Sequence, residues 1–385
     1  MNNHFWKAAL CAAMVPFALA GCGGGDDGGA QTGTLHVAMT DAPSCGFDHI
    51  YVTVSQVRVN ANTNAFDNDA GWSTITLATP RKIDLLSLTN GVLADIGQTA
   101  LPAGQYQQIR LVLAPNQGNS LANSVVPTGG TEQALATPSA TQSGYKIIQP
   151  FTVQANTLVD LVLDFNACKS IVQRGNGTYA LKPVVTAIPT VVSGAISGYV
   201  APAEAGATVY AEQGGKVVRG TVADSTGKFV LSPLIQSSTQ GNYDVVIVQN
   251  NFASGIVRTV PVVVNTTTAV SASNAPITLP ASTMSSVSGT VTASADALVR
   301  ALQTVDARAY EITSINANMD TGAYALNVPT AAPIVGTYSG SLPVALAASP
   351  AAAAQYTIEA DAASGATQST NVNATTSQSN INFSF

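Results

Sequence analysis

Residues 34–59 read TLHVAMTDAPSCGFDHIYVTVSQVRV, and their spacing decides the fold. From Thr34 to Thr40 the apolar Leu35, Val37 and Met39 alternate with His36, Ala38 and Thr40, the period-two pattern of a half-buried strand. Asp41-Ala42-Pro43 then makes a turn, with proline fixing one backbone angle and aspartate able to bond the local backbone. A second strand begins at Asp48. Ile50, Val52 and Val54 share one parity, whereas Val57 and Val59 have the other. A slip of one turns every later side chain to the opposite face, so a bulge is expected near Ser55-Gln56, or a change of sheet there.

The same alternation predicts strands at 72–78, 81–86, 105–113, 145–153, 157–165 and 178–188. The clearest is 157–165, with Val159, Leu161, Leu163 and Phe165 on one side. Only 88–97, LTNGVLADIG, reads as a short helix. The stretch 115–143, rich in Gly, Pro and Ser, reads as a long loop, a kind that is usually functional or partly disordered. It is the first candidate contact surface, because loops at the ends of a rigid scaffold carry binding.

Beyond Pro189 the strands shorten and a weak internal repeat emerges. ISGYV at 196–200 is matched by VSGTV at 287–291, and DSTGKFVL at 224–231 by MDTGAYAL at 319–326. In each copy a tyrosine, Tyr243 or Tyr356, then opens a β-branched run. The Thr-Gly pair suits a hairpin in which glycine takes a positive φ and the aromatic two residues on packs across the strands. The expected fold class is all-β: β-sandwich domains of immunoglobulin or transthyretin type in tandem.

The N-terminus points to a compartment. Lys7 precedes an apolar run from Ala8 to Ala20, interrupted by Pro16, of secretory-signal length and too short to span a bilayer. The stretch Leu19-Ala20-Gly21-Cys22 resembles the lipobox of bacterial lipoproteins, whose cysteine receives a diacylglyceryl group before the signal is cut and the new amine acylated. The resemblance implies a signal peptide at 1–21, a lipidated Cys22, and a flexible Gly/Asp tether at 22–32. Gly23 after the cysteine implies, by the Gram-negative pattern, an outer-membrane address. Each buried methylene adds roughly 0.8 kcal/mol and stable anchoring needs at least two signals, so several acyl chains make a firm membrane anchor. A secreted protein with a chance cysteine is the alternative.

Loss of the signal leaves fourteen basic residues against twenty-one acidic ones, which argues against nucleic acid as a partner. Charged residues are 9% of the chain, against about 25% in average soluble domains, so the surface is built from neutral polar side chains. Such a surface suits glycan or protein partners better than strongly charged ones. Cys45 and Cys168 remain after processing, and two thiols in an oxidising compartment suggest one disulfide. The chain-entropy model gives such a long closed loop roughly 4–5 kcal/mol at most. A two-cysteine metal site would lack further ligands.

Common catalytic chemistries have little to work with. Only His36 and His49 lie outside the signal, both alternating with inward aliphatics as surface imidazoles do. A Ser-His-Asp triad or histidine-ligated zinc therefore has almost nothing to work with. No G-x-S-x-G occurs, and the S-x-x-K matches at Ser143–Lys146 and Ser225–Lys228 sit in turn-and-strand context. Gly227-Lys228 is followed by Phe229, where a phosphate loop needs Ser or Thr.

Four acidic residues are candidate ion ligands, against a plainer reading as solvated turns. Asp67 and Asp69 lie in the oxygen-rich DNDAG stretch, although Trp72 and Ala78 break the EF-hand pattern. Asp41 and Asp48 flank the Cys45 turn. Asp160 and Asp164 share a strand face about 13 Å apart, too far for a glycosidase pair, and read as exposed. Trp72 is expected in the core, with stacking on a sugar ring as the alternative. Residues 381–385 alternate like the terminal signal of outer-membrane barrels, but a last sandwich strand accounts for them better.

Taken together, GTLHVAMTDAPSCGFDHIYVTVSQVRV, DLLSLTNG, LPAGQYQQIRLVLAPN, VLDFNACKSIV and LKPVVTAIP resemble a family of bacterial lipoproteins, domain of unknown function 4382, over roughly 33–190. The resemblance implies a β-rich extracytoplasmic domain with no assigned catalytic residue, and supports pairing Cys45 with Cys168. Residues 191–280 and, more divergently, 281–385 resemble carboxypeptidase regulatory-like, transthyretin-like sandwiches of seven strands, a carbohydrate-binding-like fold. The expected protein is a lipid-anchored envelope protein that binds or scaffolds, without catalysis and without a cofactor. A carbohydrate-binding or adhesive module is the first alternative. An uncharacterised hydrolase using Asp41, Asp48 and Asp160 is the second.

Overall fold

The computed structural model describes residues 31–41, 46–118, 120–182, 184–237, 241–292 and 297–385. The fold is all-β. The first domain opens with β1 (Thr32–Asp41), β2 (Phe47–Asn60), β3 (Ser73–Asp84), β4 (Ala94–Pro102), β5 (Gly104–Leu113) and β6 (Ser124–Pro127). It continues with β7 (Gln133–Ala136), α1 (Pro138–Gln142), β8 (Tyr145–Val153), β9 (Leu158–Phe165), α2 (Ala167–Ser170), β10 (Ile171–Gln173), β11 (Tyr179–Leu181) and β12 (Val185–Pro189). One sheet runs β12-β9-β1-β4, with β1 and β9 parallel in unbroken register from Thr34↔Leu158 to Asp41↔Phe165. The other runs β10-β11-β7-β6-β2-β5-β8, with β3 beside β2. Leu35, Val37, Met39, Ile50, Val52 and Val54 are fully buried between them, the two parities read from the sequence. The slip falls where expected: β2 shifts register between Val54 and Gln56 against β3 and β5 alike.

Several expectations are corrected. Residues 88–97 form no helix; only Leu85–Ser87 is a 3-10 turn, and β4 begins at Ala94. Asn90 and Gly91 both adopt positive φ, which a right-handed helix cannot accommodate. The strands expected at 72–78 and 81–86 are one strand, β3, ending at Asp84, whose register against β2 jumps from Arg81 to Thr76 at the β2 bulge. The segment 115–143 carries β6, β7 and α1, held by Asn123, whose side chain accepts from Thr53 N at 2.9 Å and donates to Ala114 O at 2.7 Å. Residues 178–188 divide into β11 and β12, which join different sheets.

The rest of the chain is two structural copies. The first has β13 (Ser193–Tyr199), β14 (Thr208–Gln213), β15 (Lys216–Val222), β16 (Lys228–Ile235), β17 (Tyr243–Val248), β18 (Gly255–Val260) and β19 (Thr267–Ala269). The second has β20 (Met284–Thr292), β21 (Leu298–Val305), β22 (Arg308–Asn316), β23 (Ala323–Pro329), β24 (Ile334–Thr337), β25 (Ala347–Ala348), β26 (Gln355–Asp361), β27 (Thr367–Asn373) and β28 (Phe383–Ser384). The three-stranded sheets β16-β13-β19 and β23-β20-β28 correspond, each with a terminal strand added in parallel. So do the series β15-β14-β17-β18 and β22-β21-β26-β27, down to a bulge at Ala211/Glu212 and Ala301/Leu302. Tyr243 and Tyr356 play one role, their hydroxyls donating to Ile235 O and Pro329 O at 2.8 and 2.6 Å.

One insertion breaks the symmetry. Between β23 and β26 the second copy sends β24 back to pair in parallel with β18 of the first, and β25 extends that sheet to six strands. Ile334 and Val344 are buried in the first copy's core. The three bodies are packed together, the first domain meeting both copies through side-chain ties. The C-terminal residues form β28, where Phe383 is buried and stacks on Tyr324 with ring centroids 6.3 Å apart.

Candidate functional site

The bodies meet around buried charges. Arg219 of β15 reaches into the first domain to pair with Asp164 of β9, and donates to Thr40 Oγ1 at 2.8 Å. Asp164 and Arg219 are both buried, so Asp164 is not the exposed residue the strand parity suggested. Asn90 of the β3–β4 connection accepts from Val230 N at 3.0 Å, and its own N–H donates to Thr221 Oγ1 at 2.7 Å. On the other side, Glu311 of β22 takes Lys169 Nζ at 2.8 Å and Arg300 Nη1 at 3.2 Å. Arg300 also pairs with Glu359 and, at 3.1 Å, with Asp361. Glu212 accepts from Glu311 N at 3.1 Å; burial, then the Glu311 charge, hold its carboxyl well above the ordinary range. These ties line a cavity of about 260 Å³ whose wall includes Asp164, Lys169, Arg300 and Glu311. Their partners are one another, which suits a structural hub.

A larger cleft of about 800 Å³ opens beside this hub, between the first domain and the second copy. Its first-domain wall is the start of β2, α2 and the β10–β11 hairpin. Phe47 and Tyr179 meet there edge to face at 5.6 Å. Its opposite wall is formed by residues 312–316 of β22 and 323–327 of β23, with Tyr210 and Val248 at the floor. The walls are pinned at one rim. Asn316 Nδ2 donates to Lys169 O at 2.9 Å and Ile171 O at 3.1 Å, Met319 N donates to Gln173 O at 3.1 Å, and Gly175 N donates to Asp320 Oδ2 at 2.6 Å.

Among the described residues none that lines the cleft is charged. The polar groups are amides and hydroxyls, among them Gln173, Asn318, Asn327, Thr313 and Ser314. Burial pushes the Tyr324 phenol up to about 12, and it donates to Ile381 O at 2.6 Å. Burial, with the Glu311 and Glu212 charges, raises the Tyr210 phenol as well. Both stay neutral near pH 7, so the cleft offers flat rings and neutral hydrogen-bonding groups.

The residues singled out from sequence lie elsewhere, with one exception. Cys22 and Cys45 fall outside the described residues; Cys168, in α2, lines the cleft together with Gly46 and Phe47. Asp41 is buried and accepts from Ala167 N at 3.0 Å, at the start of α2. Asp48 accepts from Gly129 N at 3.1 Å, so the two aspartates serve separate backbone groups. Asp67 pairs with Arg110, and Asp69 accepts from Phe66 N at 2.9 Å. Among the described residues no group of three or more His, Cys, Asp or Glu is arranged to hold a metal ion.

Trp72 is half-buried and not a core residue, because Arg58 and Arg110 cover its ring at 4.5 and 5.2 Å. His36 is no free surface imidazole: Nδ1 bonds Asp160 at 2.7 Å and Nε2 bonds Asp95 at 2.9 Å. Burial works against its protonation, but the bonds to Asp160 and Asp95 outweigh it and raise its pKa. His49 bonds Asp84 at 2.7 Å and stacks on Tyr51. The cleft itself was missed from sequence. The available signal was the two uncharged runs Ile312–Met319 and Thr321–Asn327, which supply the second-copy wall.

No curated protein matches this chain. Among solved structures, a chain of a type II cohesin–X–dockerin complex from Acetivibrio cellulolyticus, an N-terminal interface mutant, is similar at 27% identity and a TM-score of 0.19. That likeness covers 23% of this chain and 58% of the other. The major pilin subunit of Bacillus cereus is similar at 9% identity and a TM-score of 0.13, over 92% of this chain and 99% of the other. The family likeness is confined to the first domain: residues 32–183 match the family described as Domain of unknown function (DUF4382).

Proposed function

We propose that this chain is a lipid-anchored envelope protein that binds an uncharged partner without transforming it. The observation that carries the reading is the large interdomain cleft whose lining, among the described residues, holds no charged side chain. General acid–base and nucleophilic catalysis need titratable or activated groups at the reacting centre; the described lining presents amides, hydroxyls, the raised phenols of Tyr210 and Tyr324, and Cys168, which a bridge to Cys45 would hold as a disulfide. A pocket of mixed apolar surface and few directed polar groups is the usual form of a binding site.

Export rests on the lipobox-like Leu19-Ala20-Gly21-Cys22, and the outer membrane on Gly23. The Cys45–Cys168 bridge belongs to the same reading. Its support is that β1 and β9 run parallel up to Asp41 and Phe165, so the two cysteine-bearing segments leave neighbouring strand ends. Gly46, next to Cys45, and Cys168 also line one cleft wall. The two C-terminal copies share the three-plus-four strand plan expected of transthyretin-like sandwiches.

A carbohydrate or adhesive partner is the second reading, favoured by the aromatic and amide lining: ring stacking plus neutral hydrogen bonds is the chemistry of an uncharged sugar. The test has two arms. Palmitate labelling should mark the wild-type protein and not Cys22→Ser; equal labelling removes the anchor. Photo-crosslinking from the cleft position Thr313 in intact envelopes should yield a defined adduct that Tyr179→Ala abolishes. A glycan array on the same variants separates sugar from protein, and an adduct unaffected by Tyr179→Ala rules out the cleft.

A further inference from the structure

Sheet edges invite foreign strands, and folded proteins guard them with charge, proline, bulges or shortness. Among the described residues most edges here are guarded. β8 carries Lys146 and Pro150, β16 Lys228 and Pro233, and β15 Lys216 with a break against β14. β4 carries Asp95 and a break against β1; β10, β19, β25 and β28 are two or three residues long. β23 ends in Pro329 and lines the cleft.

β27 has none of these guards. Its sequence, TQSTNVN, contains no charge and no proline, and it pairs with β26 from Asp361↔Thr367 to Gln355↔Asn373 without a shift. Its first five residues are exposed. The internal duplication sharpens the point. β27 occupies the position that β18 holds in the first copy, and β18 has its outer edge covered by β24. Among the described residues the same edge therefore takes a strand in one copy and none in the other.

We propose that β27 pairs antiparallel with β27 of a second copy about a two-fold axis, joining the two four-stranded sheets into one. β27 is self-complementary in that arrangement. Centred on Thr370, it sets Ser369 against Asn371 and Gln368 against Val372, uncharged at every position; Gln368 already bonds the Ser384 backbone and Asn371 accepts from Thr357 Oγ1, so the backbone ladder carries the pairing. The acids of the next strand, Glu359 and Asp361, are already paired with Arg300. The two β26 strands would lie about 14 Å apart, beyond the Debye length of roughly 8 Å at physiological salt. The ladder of backbone bonds supplies affinity, and a two-fold interface closes on itself.

The test uses the full chain bearing Cys22→Ser, so that lipid plays no part and the outcome is independent of the anchoring proposal. Sedimentation equilibrium over micromolar to hundred-micromolar concentrations should show a monomer–dimer equilibrium. Thr370→Lys, at an exposed position, sets like charges opposite each other and should weaken the dimer by about tenfold or more, with the circular dichroism and melting point unchanged. Ser369→Lys reads the same edge from the other face should Thr370→Lys fold poorly. A protein monomeric throughout that range, or a dimer indifferent to both lysines, overturns the proposal.

Discussion

Arg219 brings a full positive charge to a place where its side chain is 2% exposed, and Asp164, at 6%, meets it there. Burying two charges costs several kcal/mol each, and their attraction roughly offsets that only while both are present. Arg219→Met should therefore destabilise the protein by about 3 kcal/mol, because Asp164 is left buried and unpaired. The double variant Arg219→Met with Asp164→Leu should recover most of the loss. Urea unfolding of the three proteins decides it; equal losses in single and double variants would mean that the pair is not what holds this contact. Sequence could not have found the pair. Asp160 and Asp164 have the same strand parity, but Asp160 lies opposite His36 and Asp164 opposite Thr40, where another domain's arginine arrives. Alternation reports which face a side chain is on, and nothing about what covers that face.

The hairpins of the two copies were legible because their chemistry is local. Thr-Gly followed by an aromatic required a positive φ at glycine, and Gly227 and Gly322 have φ of 80° and 66°. Each also presses against its neighbour strand: a Cβ on Gly227 would meet Val200 O, and one on Gly322 would meet Val291 O. Gly365 offers the contrast, with φ of 88° and open space around it. Gly365→Ala should cost about 1 kcal/mol through the backbone alone. Gly322→Ala should cost about 2 kcal/mol or more, because the hairpin must also move off Val291. Thermal melts of the two variants should therefore differ clearly; equal shifts would show that the turn conformation, and not the close approach, sets the requirement. The misread helix at 88–97 fails for a related reason. Its spacing of apolar residues was acceptable, but Asn90-Gly91 spent the segment on a turn in which the Asn90 side-chain oxygen and backbone N–H serve the next domain.

At the scale of the molecule, the domain plan read from the repeat hides an exchange. Residues 281–385 read as one divergent copy, but the segment between β23 and β26 extends the first copy's sheet through β24 and β25. Residues 191–280 alone would leave the β18 edge bare from Gly255 to Arg258 and remove Ile334 and Val344 from their own core. An unpaired edge beside a partly opened core is an aggregation site as well as a loss of stability. A fragment of 191–280 should therefore be poorly soluble or melt well below the whole chain, while 191–385 should fold with a single cooperative transition. Calorimetry on both fragments distinguishes the cases. A well-behaved, independently stable 191–280 would mean that β24 is a loose addition, and the two copies would then be separable domains able to move against each other. A single transition for 191–385 would mean that the second copy holds the first in one rigid piece, and the cleft built on that second copy inherits its fixed walls from the same exchange.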